Sequence, residues 1–167
     1  MNDDKKATLK ALVISSIGFT VLFGVIIALM NGIGYALIAA PIAGLLWGLL
    51  MYLFINSKKV KQQMHVDNIE EKDIIYSGGA NHFKNAEAVG GKLYLLANKL
   101  EFKSHGFNIQ NHAFFLYTNE IREIAFFNTW GLIPNGLKFI LKGGNEEKFV
   151  VNNRKIWKKA IEQQIQN

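Results

Sequence analysis

Four histidines, thirteen carboxylates and the glycine pairs at 90–91 and 143–144 are the places in this chain where chemistry could reside. His65, His82, His105 and His112 fall in a linker, at a strand end, in a turn and at a strand start, and no two are three or four residues apart. That spacing would put two imidazoles on one helical face, the usual beginning of a zinc site. The chain has no cysteine, so thiolate ligation and disulfides are excluded outright. The histidines are therefore read as solvated. The carboxylates occur as neighbours on polar segments: Glu70-Glu71, Glu120 with Glu123, and Glu146-Glu147. General acid–base work needs two groups positioned in a cleft, and nothing here places a pair in one. Gly90-Gly91 and Gly143-Gly144 lack the Lys-Ser/Thr and the following helix of a phosphate loop, and read as turn glycines. No catalytic, cofactor or metal constellation emerges, so the chain is expected not to be an enzyme.

The elements that carry these residues fall into two unlike pieces. LKALVISSIGFTVLFGVIIALM (9–30) and ALIAAPIAGLLWGLLMYLFI (36–55) are each long enough to cross a hydrocarbon core of about 30 Å as a helix. NGIGY (31–35) between them has turn composition. A cleaved signal peptide is the rival reading of the first segment. Its apolar run is too long, and a second hydrophobic stretch follows at once. Lys5, Lys6 and Lys10 precede the first span and Lys58, Lys59 and Lys61 follow the second, while the connecting turn is uncharged. The positive-inside rule then predicts a cell-membrane hairpin with both termini, and everything after residue 56, in the cytoplasm.

Small residues recur every fourth position in both spans, as Ser16, Thr20, Gly24 and Ala28 and as Ala36, Ala40, Gly44 and Gly48. Such stripes let helix backbones approach closely in lipid, so Gly24, Ala40, Gly44 and Gly48 are candidate packing positions, within the hairpin or between copies. Neither span carries an ionisable residue in its interior, which gives an ion or proton pathway little support. Of the net charge of +6, residues up to His65 hold six Lys against two Asp, and the remainder holds 13 Lys and Arg against 11 Asp and Glu. The basic excess thus lies beside the apolar segment, which favours a membrane surface over nucleic acid.

Three regions are expected: the hairpin with its basic N-terminus (1–56), a juxtamembrane linker (57–73) and a mainly-β domain (74–167). Short alternating runs predict seven strands: 74–83, the hairpin GGKLYLLANKLEFK turning at Ala97-Asn98, 111–117, 120–128, 136–142 and 148–152. KNAEAV (84–89) would connect the first two, and TWGLIPNG (129–136) would be one loop. The period changes at NRKIWKKAIEQQIQ (153–166), which puts Ile156, Trp157, Ala160, Ile161 and Ile165 on one helical face, with Asn152 or Asn153 as cap. The fold class expected is a transmembrane α-hairpin followed by a barrel of about seven strands, closed by an amphipathic C-terminal helix with Trp157 as its plug.

GGKLYLLANKLEFKS (90–104), EIREI (120–124) and LIPNGLKFILKGGNEEKFVVNNRKIW (132–157) resemble, in order, the glycine–strand–turn–strand hallmark, the middle segment and the strand–turn–strand–helix ending of the GRAM domain. That family is a branch of the pleckstrin-homology (PH) superfamily. The resemblance covers about residues 70–165, with Ala97 where Thr is commoner. It implies a binding module whose relatives take phosphoinositides, other anionic lipids or proteins. The cations such binding would use are Lys84 and Lys92; Lys92, Lys99 and Lys103 lie on the outward side of the hairpin, which reads first as an ordinary solvated strand face or as edge strands protected by lysine. Trp130, Leu132 and Ile133 would either enter the membrane interface or cover the barrel's end. Two functions remain open at this stage. One is a membrane-anchored scaffold offering its β-domain to lipid headgroups or a protein partner. The other is a small oligomeric membrane component regulated by the barrel.

Overall fold

A single glycine turns the chain between its two long helices. The computed structural model describes residues 3–66, 69–84 and 87–166. Helix α1 (Asp3–Asn31) ends one residue before α2 (Ile33–Asn56) begins, and Gly32 between them takes φ 89°, a left-handed value open to glycine at little cost. The expected five-residue turn is thus a one-residue break. α2 runs unbroken through Pro41. The two small-residue stripes face each other across the pair. A Cβ on Gly24 would lie 3.1 Å from the Ala40 methyl, one on Gly48 would lie 2.5 Å from Ser16 Oγ, and one on Gly44 would land on the Thr20 hydroxyl. The Ser16 and Thr20 hydroxyls donate back to the carbonyls of Leu12 and Ser16, both at 2.9 Å, so neither is left unpaired at the contact. Trp47 stacks on Phe19 with ring centroids 4.8 Å apart and donates its indole N–H to Ser15 Oγ at 2.9 Å.

The chain divides into two units, Met1–Val60 and Lys61–Asn167. A short helix α3 (Lys58–Gln63) spans the boundary, and a 3-10 turn (Glu71–Asp73) leads into the sheet. The seven expected strands are β1 (Tyr76–Lys84), β2 (Glu87–Leu95), β3 (Lys99–Ser104), β4 (Ala113–Tyr117), β5 (Ile121–Thr129), β6 (Ile133–Leu141) and β7 (Glu146–Val151), followed by α4 (Arg154–Ile165). They form one antiparallel curled sheet in the order β4-β3-β2-β1-β7-β6-β5. The turn of the β1–β2 connection, Asn85-Ala86, lies outside the described residues, and β2 starts at Glu87, ahead of the expected glycines. The β2–β3 turn falls at Ala97-Asn98, closed by Leu96 N–H donating to the Lys99 carbonyl at 2.9 Å.

Alternation explains the sheet's two faces. Leu93 and Leu95 oppose Phe102 and Leu100 in register, and all four are buried on the concave side. Leu137, Phe139, Phe149 and Val151 line the same core from the other half. Trp157 and Ile161 of α4 close it, and the Trp157 ring meets Tyr76 edge-on at 4.7 Å. Ile156 and Ile165, expected on the buried face, are exposed instead, because only the middle turns of α4 reach the core. Asn153 precedes the helix in a left-handed conformation (φ 55°) and makes no side-chain cap bond; its carbonyl accepts from Ile156 and Trp157.

Two outcomes follow from this packing. Trp157→Ala should lower stability by about 3 kcal/mol or more, because loss of a fully buried aromatic leaves a cavity in the closing layer; denaturant midpoints of the full chain in nonionic detergent measure it. Ser16 and Gly48 stand at disulfide separation, a Cβ on Gly48 being 3.5 Å from the Ser16 Cβ. Ser16→Cys with Gly48→Cys should therefore oxidise to an intramolecular disulfide in this cysteine-free chain. Adding Gly44→Leu, which forces α1 and α2 apart, should cut the yield several-fold on non-reducing gels.

Candidate functional site

His82 sits on β1 between Ala80 and Lys84, and the pleat turns its side chain into the core, where it is 4% exposed. The expectation that all histidines are solvated is thus wrong for His82. Its ring stacks flat on Phe149 at 4.3 Å and meets Phe102 and Phe114 at 5.5 and 4.7 Å. Both nitrogens are bonded. Nε2 lies 2.8 Å from Glu147 Oε2 and Nδ1 lies 2.9 Å from His112 Nε2. An ionised carboxylate only accepts, which places a proton on His82 Nε2. In neutral His82, Nδ1 then accepts from His112 Nε2–H, and His112 Nδ1 is left as an acceptor. That last atom is buried and has no hydrogen-bond partner.

Residues 30 and 65 positions from His82 in sequence thereby tie β4 and β7 to β1. The arrangement has the base-and-carboxylate half of a catalytic triad. No hydroxyl or thiol is bonded to its free end, and the hydroxyl of nearby Ser104 instead accepts from the His112 backbone N–H at 2.9 Å. Among the described residues no group of three or more His, Cys, Asp or Glu is arranged to hold a metal ion. The network's evident work is to anchor the β3–β4 loop, residues 105–112.

That loop is bound at several other points. Asn108 Nδ2 donates to the carbonyls of Gly90 (2.8 Å) and His105 (2.7 Å), and its Oδ1 accepts from Gly90 N–H at 2.9 Å. Gly90 permits this approach, since a Cβ there would lie 2.8 Å from the His105 ring. Gly106 N–H donates to Gln63 Oε1 at 2.8 Å. One strand away the Tyr94 hydroxyl donates to the Met64 carbonyl at 2.8 Å, and burial pushes that phenol up to about 12, so it stays a neutral donor. At the loop's apex Phe107 and Ile109 are 58% and 94% exposed. No alternation or heptad pointed to them; the one cue was two large apolar residues in an otherwise polar GFNIQN segment.

The predicted cations are less available than their sequence pattern implies. Lys99 is ion-paired with Glu101, and Lys92 lies over the Tyr94 ring at 4.8 Å. Lys103 stands opposite Lys92 in the β2–β3 register, and Lys84, exposed, stands opposite Glu87. Trp130, Leu132 and Ile133 lie at the β5–β6 turn, and the first two are 87% and 83% exposed. Leu132 N–H donates to the Thr129 carbonyl at 3.1 Å, with Trp130 (φ 52°) and Gly131 (φ 74°) both left-handed. This is a tight three-residue connection, 130–132, rather than the eight-residue loop expected, and Trp130 occupies a position that favours Asn or Gly. Gly24, Ala40, Gly44 and Gly48 belong to the α1–α2 contact.

No family model and no curated protein matches the chain. Solved structures with a similar outline include the C-terminal domain of an unknown protein from Leishmania infantum, at 15% identity and TM-score 0.49, covering 56% of this chain and 84% of that one. Others are the linker-DH/PH fragment of p115-RhoGEF (10%, TM-score 0.43, 76% and 44%) and the DH/PH fragment of PDZRHOGEF in complex with human RhoA (8%, TM-score 0.44, 77% and 43%). The chain spans less than half the length of either exchange-factor fragment.

Burial holds the His112 pKa below its ordinary 6.5, with the His82 and Lys84 charges adding to the effect; the Gln110 backbone and Glu147 pull the other way. A base that resists protonation when folded takes its proton more readily once unfolded, so acid favours unfolding. The stability tied to His112 should be constant above about pH 6.5 and fall as the pH drops below it. His112→Gln should flatten the decline of the thermal midpoint between pH 7.5 and 5, read by near-UV circular dichroism, relative to the parent chain.

Proposed function

We propose that this chain is a membrane-anchored binding module, with α1 and α2 crossing the cell membrane as a hairpin and the seven-stranded unit held at the cytoplasmic face for lipid headgroups or a protein partner. The outward faces of the two helices carry the reading. Leu29, Ile33, Leu37 and Leu45 are all more than 70% exposed, on helices of a length and composition suited to a bilayer. Apolar surface of that extent in water marks a missing apolar environment, and lipid supplies it. The uncharged turn and the flanking Lys5, Lys6, Lys10, Lys58, Lys59 and Lys61 support cytoplasmic termini.

Binding rather than catalysis suits the second unit, since its polar cluster is used to anchor a loop. Lys84 and Lys103 are the hairpin-side cations best placed for anionic headgroups. Each basic residue near an anionic leaflet contributes about 1 kcal/mol. The alternative, an oligomeric membrane component with a regulatory barrel, would need faces for self-association. The stripes that could serve, including Gly24, Ala40, Gly44 and Gly48, are occupied within the α1–α2 pair.

The test is insertion and topology together. The full chain should resist extraction from membranes by alkaline carbonate. A fluorescent protein fused after Asn167 should be active, and alkaline phosphatase at the same point inactive. Release by carbonate, or strong phosphatase activity, would overturn the reading.

A further inference from the structure

Two turns of the second unit carry exposed apolar tips, and they leave opposite rims of the sheet. Every adjacent strand pair is antiparallel, so strand direction alternates along the order β4-β3-β2-β1-β7-β6-β5. The β1–β2, β3–β4 and β6–β7 connections therefore lie along one rim, and the β2–β3 and β5–β6 connections along the other. Phe107 and Ile109 are on the first; Trp130 and Leu132 are on the second.

We propose that the β3–β4 loop is a bilayer-contact site, with Phe107 and Ile109 seated in the interface of the membrane that α1 and α2 cross; the proposal rests on the membrane reading above. The first argument is reach. Gln63 accepts the hydrogen bond from Gly106 N–H, near the start of this loop, and Gln63 is seven residues beyond Asn56, the last residue of α2. Seven residues span at most about 25 Å when fully extended. However the unit is turned, Gln63 stays within that chain length of the end of the second span, and Gly106 stays bonded to Gln63. The Trp130 tip lies a strand's length away, since nine residues of β5 rise about 30 Å.

The second argument is how the loop is built. Asn108, between Phe107 and Ile109, spends its side chain inward on Gly90 and His105. The polar residue of the apex is therefore turned in and its two apolar neighbours are turned out, the reverse of an ordinary surface loop. The His112–His82–Glu147 chain, the Ser104 N–H donating to the His112 carbonyl and the His112 N–H donating to the Ser104 hydroxyl hold the loop's far end. A tip fixed in this way enters an interface with little further ordering cost. Phe and Ile there would bury apolar surface at the depth where amphipathic anchors bind. Lys58, Lys59 and Lys61 lie on the connecting stretch, where an anionic leaflet attracts them.

Because the chain has no cysteine, single cysteines give unambiguous probes. Ile109→Cys, Leu132→Cys, Gln163→Cys and Leu50→Cys would each be labelled with an environment-sensitive nitrobenzoxadiazole dye in the full chain. The labelled chains would be reconstituted into phosphatidylcholine–phosphatidylglycerol vesicles with and without doxyl-labelled lipid. The dye at 109 should be blue-shifted and quenched several-fold more than the dyes at 132 and 163, with the dye at 50 quenched most. Strong quenching at 50 with none at 109 overturns the loop's assignment and leaves the membrane hairpin standing. Quenching at 132 in place of 109 also overturns it, by turning the opposite rim to the bilayer. Absence of quenching at 50 removes the membrane reading, and the loop assignment with it.

Discussion

The concave face of the sheet has to be kept dry, and the rest of the second unit depends on how that is done. A seven-stranded sheet with one apolar face cannot close over itself when its end strands, β4 and β5, do not pair. α4 supplies the missing layer by laying Trp157 and Ile161 against Tyr76 and the core of both halves. Once the interior is sealed, a polar group left unpaired inside it costs stability, and among the described residues His112 Nδ1 is the one buried side-chain atom that goes without a partner. His82 meets the demand for pairing through Glu147 and His112, and by doing so it ties β1, β7 and the start of β4 at one point. The fixed β3–β4 loop is thus a consequence of the dry core rather than an independent feature.

On the membrane reading proposed above, the same demand would apply to the apolar pair in a harsher solvent. Lipid offers no hydrogen bonds, so each polar atom on α1 and α2 would need a partner within the protein. Ser16 and Thr20 bond back to their own helix, and the Trp47 indole reaches across to Ser15. Gly44 and Gly48 are the places where those hydroxyls fit between the helices. Small residues here do more than bring two backbones together: they leave space for side chains whose hydrogen bonds are already made.

What was legible in the sequence was whatever repeats locally. Leu93, Leu95, Leu100 and Phe102 announce a hairpin because a strand's period is two. The four-residue stripes announce a helix contact because a helix brings every fourth residue to one side. Ile156 and Ile165 share the α4 stripe with Trp157, yet periodicity does not reveal where a helix runs past the edge of what it covers. His82 looked like a surface residue because its partners are 30 and 65 positions away and only the strand order brings them together. The β5–β6 turn was misjudged for a local reason. Left-handed hairpin turns usually advertise themselves with Asn-Gly or Gly-Gly, and this one places Trp130 before Gly131. Phe107 and Ile109 have no period at all, and their exposure follows from Asn108 facing inward between them.

Charge alone is a weak basis for membrane contact by this unit. Its part of the sequence has a small basic excess, 13 cations against 11 anions after His65, and several of the cations are committed inside the fold. Lys99 and Lys138 pair with Glu101 and Glu146, while Arg154 and Lys158 bond to the carbonyls of Phe127 and Ile124 and lie over the Phe126 ring. What remains is screened within about 8 Å at physiological salt. If α1 and α2 cross a membrane as proposed, the seven residues after α2 would change the balance, because such a tether raises the local concentration of the unit at the surface without any new attraction. Under that condition weak contacts suffice, and selectivity between surfaces falls to shape and apolar fit. A rigid loop with two outward apolar side chains, hydrogen-bonded to the tether itself through Gln63, has the form such a division of labour requires.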